Sequence, residues 1–400
     1  MSTATEPLFP TGNETSFVLT NARLVLPDTV QPGSLWVRNG HIEAIETTGS
    51  GSLPSVPALD LESDLLLPGL VEIHTDNFER HLMPRPQVDW PALPALLAHD
   101  AEVVAAGITT VLDALGVGEA DADSLRGSSW ERVLQTLQYA VEHDLLRAEH
   151  WLHVRCELPA PNTVSLFEPF IGHPRVRLLS LMDHTPGQRQ WENVEHARTY
   201  YTGKKGWSEA KFEHQLAQSA LIQASYAGPH RQHFVSYARQ RGLALASHDD
   251  TTVAHVQEAA REGVCISEFP TTETAARAAR AHGMAIVMGG PNVMRGGSHS
   301  GNVAAAHLAG LGLLDILSSD YVPGSLLGAA LRLVDERLMD LPQAIATVTR
   351  NPARALGWTD RGELAVGLRA DLVRARLVTL ADGRQHAVVR AVWRAGQRVL

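Results

Sequence analysis

The sequence predicts an α/β protein: a (β/α)8 barrel of the TIM type, with a small composite β domain formed by both chain ends. Three patterns carry that prediction. The middle of the chain, 66–356, alternates short apolar runs with helix-period segments, as parallel βαβ units do. The two ends, 1–65 and 357–400, hold short β-prone runs separated by turns, and neither is large enough to fold alone. Polar, metal-capable side chains recur directly after the central runs, where a barrel carries its function.

At the N-terminal end, Phe17–Leu19, Ala22–Leu26, Ser34–Arg38 and His41–Ile45 read as strands. The Asn39-Gly40 pair between the last two is a hairpin signal, because both positions of the turn need positive φ. At the C-terminal end, Ala370–Val373, Ala387–Trp393 and the Gly396 turn supply the rest of a sandwich-like β domain. The eight central strands are expected at Leu70–His74, Ile108–Ala114, His150–Cys156, Val176–Met182, Leu243–Ala246, Val264–Ser267, Ala285–Met288 and Leu314–Leu317. Helices are expected between them at Trp130–Leu145, Arg231–Arg241, Val253–Glu262, Ala275–His282 and Gly301–Leu311. A doubly wound open sheet is the alternative, but no Gly-rich dinucleotide fingerprint follows the first strand. The longest interval between strands, 183–242, is the place for an extra helix or lid.

Composition excludes several classes. With 44% hydrophobic and 20% charged residues, the 400-residue chain reads as an ordinary globular enzyme. No apolar window is long enough for a membrane span, and the polar start does not read as a secretory signal, so a cytoplasmic location is expected. Cys156 and Cys265 lie far apart in apolar runs and read as reduced, buried thiols. A net charge of −10 opposes non-specific nucleic-acid binding. Only three of the 34 basic side chains are lysines, Lys204, Lys205 and Lys211.

The strand ends carry His74-Thr75-Asp76, Asp113, Glu157, Asp183-His184, His248-Asp249-Asp250, Glu268, Gly289-Gly290-Pro291-Asn292 and Asp320. Imidazoles and carboxylates together suit a divalent ion, because they ligate it and neutralise its charge. His74 and Asp76, two apart on an extended strand end, point the same way and can grip one ion together. Any one of these residues alone is more often a cap or a hydrogen-bonded structural group; recurrence across strands 1, 3, 5 and 8 is harder to dismiss. Asp249 and Asp250 read as caps of the following helix, with Thr251 and Thr252 in its first turn, and Asn351-Pro352-Ala353 as a turn opening another.

Several strings resemble the amidohydrolase superfamily. Leu67-Pro68-Gly69-Leu70-Val71-Glu72-Ile73-His74 looks like its opening motif, and Gly107-Ile108-Thr109-Thr110-Val111 like its second-strand stretch. Asp320 after Ser318-Ser319 resembles its catalytic eighth-strand aspartate, and Gly362 to Val373 its C-terminal signature. The run from His74 through His81 and on to Pro91, the run Ser180–Gln190, and Gly289–Asn302 resemble its phosphonate-metabolism branch, in the carbon–phosphorus lyase pathway.

The resemblance implies metal-dependent hydrolysis of α-D-ribose 1-methylphosphonate 5-triphosphate to the 5-phosphate and pyrophosphate. It implies one or two divalent ions, zinc first, with manganese or iron as alternatives. Many members bridge two metals with a carboxylated strand-4 lysine, which the placement of the three lysines here nearly excludes. Glu157 is placed to substitute, His248 matches the strand-5 histidine, and Glu268 stands where the family usually has histidine. The expected metal ligands are thus His74, Asp76, Glu157, His248 and Glu268, with Asp320 to orient or deprotonate the water. The anionic tail needs cations and backbone donors, for which Arg80, His81, Arg85, His184, Arg189, Lys204, Asn292, Arg295 and His299 are the candidates. The lysine pair reads equally well as a solvated turn, and the Gly-rich loop 289–301 as an anion nest. Two rivals stay open. One is a cyclic-amide hydrolase or deaminase of the same superfamily; the other is a barrel that has lost catalysis and serves as a scaffold. The partner expected is a small phosphorylated sugar phosphonate, with no nucleic acid or membrane; homo-oligomerisation is left open.

Overall fold

The computed structural model describes residues 16–47, 56–85, 88–118, 130–204, 206–298 and 301–400. The chain ends build one mixed sheet. From the N-terminal side come β1 (Ser16–Val25), β2 (Val30–Arg38), β3 (His41–Glu46), β4 (Ala58–Asp60) and β5 (Leu65–Pro68). The C-terminal side adds β14 (Leu372–Thr379), β15 (Gln385–Arg394) and β16 (Gln397–Arg398), and the order across the sheet is β16-β15-β14-β5-β1-β2-β3. The hairpin turn between β2 and β3 has Asn39 at φ 49 and Gly40 at φ 80, the two positive values that this dipeptide allows.

Strand β5 joins the two ends, since it pairs with β1 on one side and β14 on the other. An ion-paired clamp sits at the same seam: the Asp64 carboxylate accepts from Arg374 Nε at 2.6 Å and from Arg376 Nε at 2.8 Å. Leu24, Leu35, Leu66, Leu372 and Trp393 fill the apolar side of this sheet.

The central strands are β6 (Leu70–Thr75), β7 (Ile108–Val117), β8 (Glu149–Glu157), β9 (Val176–Met182), β10 (Ala244–His248), β11 (Ile266–Glu268), β12 (Ala285–Gly289) and β13 (Ile316–Ser318). All pair in parallel with their sequence neighbours, and their positions match the eight expected runs. The first and last strands meet through a parallel Thr75–Asp320 bridge. Around it Asp76 N donates to Asp320 O at 3.1 Å, and Asp320 N donates to His74 O at 3.1 Å. Lower in the barrel, where β6 and β13 have diverged, Val348 O and Thr347 O accept from Val71 N and Leu317 N and fill the gap. Val71, Ile73, Leu112, Leu178, Ala246, Ile266, Val287 and Ile316 form the barrel interior. Each such aliphatic side chain contributes about 1.5–3 kcal/mol on burial.

Interval 183–242 does carry extra helices, Val194–Thr199, a π-helical turn Tyr200–Lys204 and Glu209–Arg241. The last is 33 residues long, far beyond the expected Arg231–Arg241. Its first half has no continuous apolar face to betray it and buries only Phe212 behind a Ser208 cap, whereas Phe234, Val235 and Ala238 pack inward in the second. Three smaller expectations need correction. The cap of helix Val253–Glu262 is Thr252, which accepts from His255 N, and not Asp249 or Asp250. The helix at Asn351 begins one residue earlier, at Arg350. Cys156 is buried, but Cys265 is exposed.

Behind β7 and β8 lies a fully buried chain of alternating acids and imidazoles. His99 Nε2 lies 2.7 Å from Asp113 Oδ1, Asp113 Oδ2 2.9 Å from His150 Nδ1, and His150 Nε2 3.3 Å from Asp100 Oδ1. Burial opposes a charged ring at His150, but Asp113 and Asp100 outweigh it and push its pKa up to about 9. Burial likewise opposes the Asp113 charge, yet His150 and His99 hold it down at about 2.

The signs follow from linkage. The stabilisation from charged His150 is complete below its ordinary 6.5 and is lost as pH rises through about 9. That from Asp113 is present above 3.8 and is lost as pH falls through about 2. We predict that His150→Asn, which removes the charged partner shared by two buried carboxylates, costs about 3–5 kcal/mol in denaturant unfolding at neutral pH. The decline of wild-type stability between pH 6.5 and 9 should flatten in the variant.

Candidate metal centre and active site

The C-terminal ends of the barrel strands surround a cavity of about 270 Å³. His74, Arg155, His184, His248, Asp249 and Asp320 line it, together with Asn292 and Arg295. Behind its histidines lies Glu268 at the end of β11, fully buried. One Glu268 oxygen lies 2.6 Å from His74 Nδ1; the other lies 2.7 Å from His248 Nδ1 and accepts from Ser180 Oγ at 2.7 Å. His153, on β8, reaches the same group through Ser180, its Nε2 2.6 Å from the hydroxyl. The His74 and His248 rings are thereby held nearly parallel, 5.8 Å apart.

Glu157 plays a matching part at the rim, with one oxygen accepting from His184 N at 2.9 Å and the other 2.5 Å from His184 Nδ1. Both imidazoles so held present Nε2 to Asp249: Oδ2 is 3.4 Å from His248 Nε2 and 3.8 Å from His184 Nε2. His184, His248 and Asp249 therefore offer three ligand atoms within 4.8 Å of one another.

Backbone strain marks the same places. Asp249, Phe269 and Asp320 follow β10, β11 and β13 with φ of 58, 55 and 55. Left-handed residues of this kind cost on the order of 1–3 kcal/mol and collect at functional sites. Phe269 uses the bend to stand edge-on against the His74 and His248 rings, at 4.9 and 5.4 Å.

The donor set fits a divalent cation. Each imidazole has its Nδ1 on a glutamate, the arrangement that orients a ligating histidine and raises its basicity. Asp76 Oδ1 is buried with no hydrogen-bond partner. The local field also favours positive charge. Burial alone would lower the pKa of His184, yet Glu157 and Asp249 push it up to about 9. His74 is raised by Glu268 in the same way, against its burial. Burial pushes the Asp320 carboxyl upward, and the Asp76 charge adds to it.

Of the residues expected from the sequence, the structure gathers His74, His248, Asp320, His184, Asn292 and Arg295 at the cavity. Glu157 and Glu268 stand one layer back, each with both oxygens on histidines. Arg189 is turned away: its guanidinium is taken up by buried Asp250, Ser247 and Glu258. Arg80 donates to Asn77 Oδ1 and to Tyr321 O, and His81 lies 2.9 Å from Glu102. Neither they nor exposed Arg85 line the cavity. His299 and the Lys204 side chain lie outside the described residues.

Sequence reasoning missed Asp249 as a cage member and Arg155 altogether. Pleat alternation would have found the latter, because His153, Arg155 and Glu157 share the inward face of β8.

We predict that Glu268→Gln, which can accept at only one of the two rings, weakens zinc binding about 10–100-fold. Competition with a chromogenic chelator measures this.

Comparison with known proteins agrees with the geometry. Residues 223–400 match the Amidohydrolase family. The chain is 48% identical to the alpha-D-ribose 1-methylphosphonate 5-triphosphate diphosphatase of Escherichia coli (strain K12), over 96% of this chain and 100% of that one. An imidazolonepropionase of Cereibacter sphaeroides is 24% identical over 90% of this chain and 91% of its own. Among solved structures, the 5-methylcytosine deaminase of Klebsiella pneumoniae superposes with a TM-score of 0.63 at 17% identity, covering 96% of this chain and 98% of that one.

Proposed function

The chain belongs to the amidohydrolase superfamily, in the family of the Escherichia coli diphosphatase, and from that premise we propose that it hydrolyses α-D-ribose 1-methylphosphonate 5-triphosphate to the 5-phosphate and pyrophosphate. The observation that carries the reading is the cage of His184 Nε2, His248 Nε2 and Asp249 Oδ2 sharing one cavity with Asp320. Phosphonate catabolism is the corresponding metabolic setting.

A divalent ion would be held by His184, His248 and Asp249, with His74 and Asp76 as the ligands for a second. Zinc is the first choice, with manganese or iron as alternatives. When bound, such an ion supplies Lewis acidity toward a phosphoryl oxygen and lowers the pKa of water. The protein's own groups do the rest. Asp320 sits at the cavity wall with its carboxyl biased upward by burial, and takes the proton from the attacking water. The water oxygen bonds to phosphorus, the α–β anhydride bond breaks, and the electron pair leaves with pyrophosphate. Glu157 and Glu268 keep the imidazoles in their ligating tautomers. Arg295, which also lines the cavity, receives the anionic tail, on a segment that Asn292 ties to Val303 O and Ala305 N.

Phosphorus NMR of the products decides the reaction. The expected result is pyrophosphate with the ribosyl 5-phosphate; release of orthophosphate alone would overturn the assignment. Asp320→Asn should lower kcat by about 10²–10⁴ with the fold intact. Chelation should abolish turnover, and added zinc should restore it.

A further inference from the structure

Arg155 stands on β8 between His153 and Glu157 and projects into the same cavity. Among the described residues, it and Arg295 are the arginines that line the cavity; Arg295 is exposed, whereas Arg155 is half-buried. Its guanidinium has four carboxylates in its surroundings, those of Asp76, Glu79, Glu268 and Asp320. Among the described residues, none of them makes a hydrogen bond or close ion pair with it, and none partners its buried Nε.

This is unlike the other interior arginines of the barrel. Arg189 is paired with Asp250, and Arg361 with Glu149 and Asp360. A buried donor left unsatisfied costs about 1–3 kcal/mol, so a retained one calls for an explanation in a ligand. An anion satisfies a guanidinium best, because it adds charge to the hydrogen bonds, and the planar fork matches two oxygens of one phosphoryl group. The neighbours place that group. Asp320 contributes to the field at Arg155, and Glu157, two residues on, holds His184 of the cage.

We infer that Arg155 is a catalytic arginine whose guanidinium receives the non-bridging oxygens of the phosphoryl group attacked beside Asp320. The inference rests on the diphosphatase reading. As the water oxygen joins phosphorus, its proton passes to the Asp320 carboxylate, the bridging P–O bond breaks and its electron pair departs on pyrophosphate. Arg155 neutralises charge on the equatorial oxygens throughout, from a site where solvent does not dilute the interaction.

The test uses zinc-loaded wild type, Arg155→Met and Arg155→Lys, with inorganic pyrophosphate titrated calorimetrically alongside turnover of the ribosyl triphosphate. Wild type should bind pyrophosphate saturably, and Arg155→Met should lose on the order of 100-fold in affinity. Arg155→Lys keeps the charge that the four carboxylates require, so its Tm and zinc content should match wild type. Its kcat should still fall about 10²–10³-fold, because a lysine cannot make the fork. Wild-type affinity and kcat in both variants would overturn the inference while leaving the diphosphatase reading intact, as would wild type that binds no pyrophosphate. Absence of pyrophosphate among the wild-type products, with anion binding still lost in Arg155→Met, would remove the reaction and keep the arginine's role.

Discussion

A carboxylate with no access to solvent must have every oxygen occupied, and Glu268 meets that demand with groups from three other strands. His74 comes from β6, Ser180 from β9 and His248 from β10, while His153 of β8 follows through the serine hydroxyl. Burial opposes its charge, yet the His74 and His153 rings hold the acid ionised, well below the usual carboxylate range. The directions in which His74 and His248 face the cavity are consequences of this one buried charge. Shift it and both ring planes shift, with the His248 corner of the cation cage.

Electrostatic layering explains how a chain of net charge −10 can host an anionic substrate. The whole-molecule charge says little about the mouth of the barrel, where the dielectric is low and nearby groups dominate. Glutamates sit in the outer ring of contacts, imidazoles inside them, and an interior guanidinium beside the acid. The buried His99–Asp113–His150–Asp100 chain is a separate device, reaching Asn77 through His99 at 3.1 Å and so steadying the start of the helix Asn77–Leu82 that follows β6.

Much of the barrel was legible because strands followed by helices leave a periodic record, and all eight runs are strands in the structure. The Asn39-Gly40 turn was equally readable, since its chemistry is local. Side-chain partnership was not. Nothing in the linear pattern says that Arg189 faces Asp250 rather than the cavity, because that choice depends on where two loops from different strands meet. Asp249 looked like a helix cap for the same reason: a left-handed backbone turn, φ 58, swings it from the helix to the cage. Glu157 and Glu268 were recognisable as parts of the site, but whether a carboxylate touches an ion or a histidine is decided by distances of an ångström or two.

The seam between β6 and β13 has a consequence for how the chain is made. Glu72, whose pKa burial pushes up to about 7, accepts from His74 N at 2.6 Å and from Ser319 N at 2.5 Å, linking positions 247 residues apart. At ribosomal speeds of about 5–20 residues per second, the later partner emerges roughly 12–50 s after the earlier one. During that time the first histidine has neither Asp320 nor the backbone that closes the ring. A nascent chain therefore lacks both the acid and the closed ring until its last central strand and the residues just after it have been made.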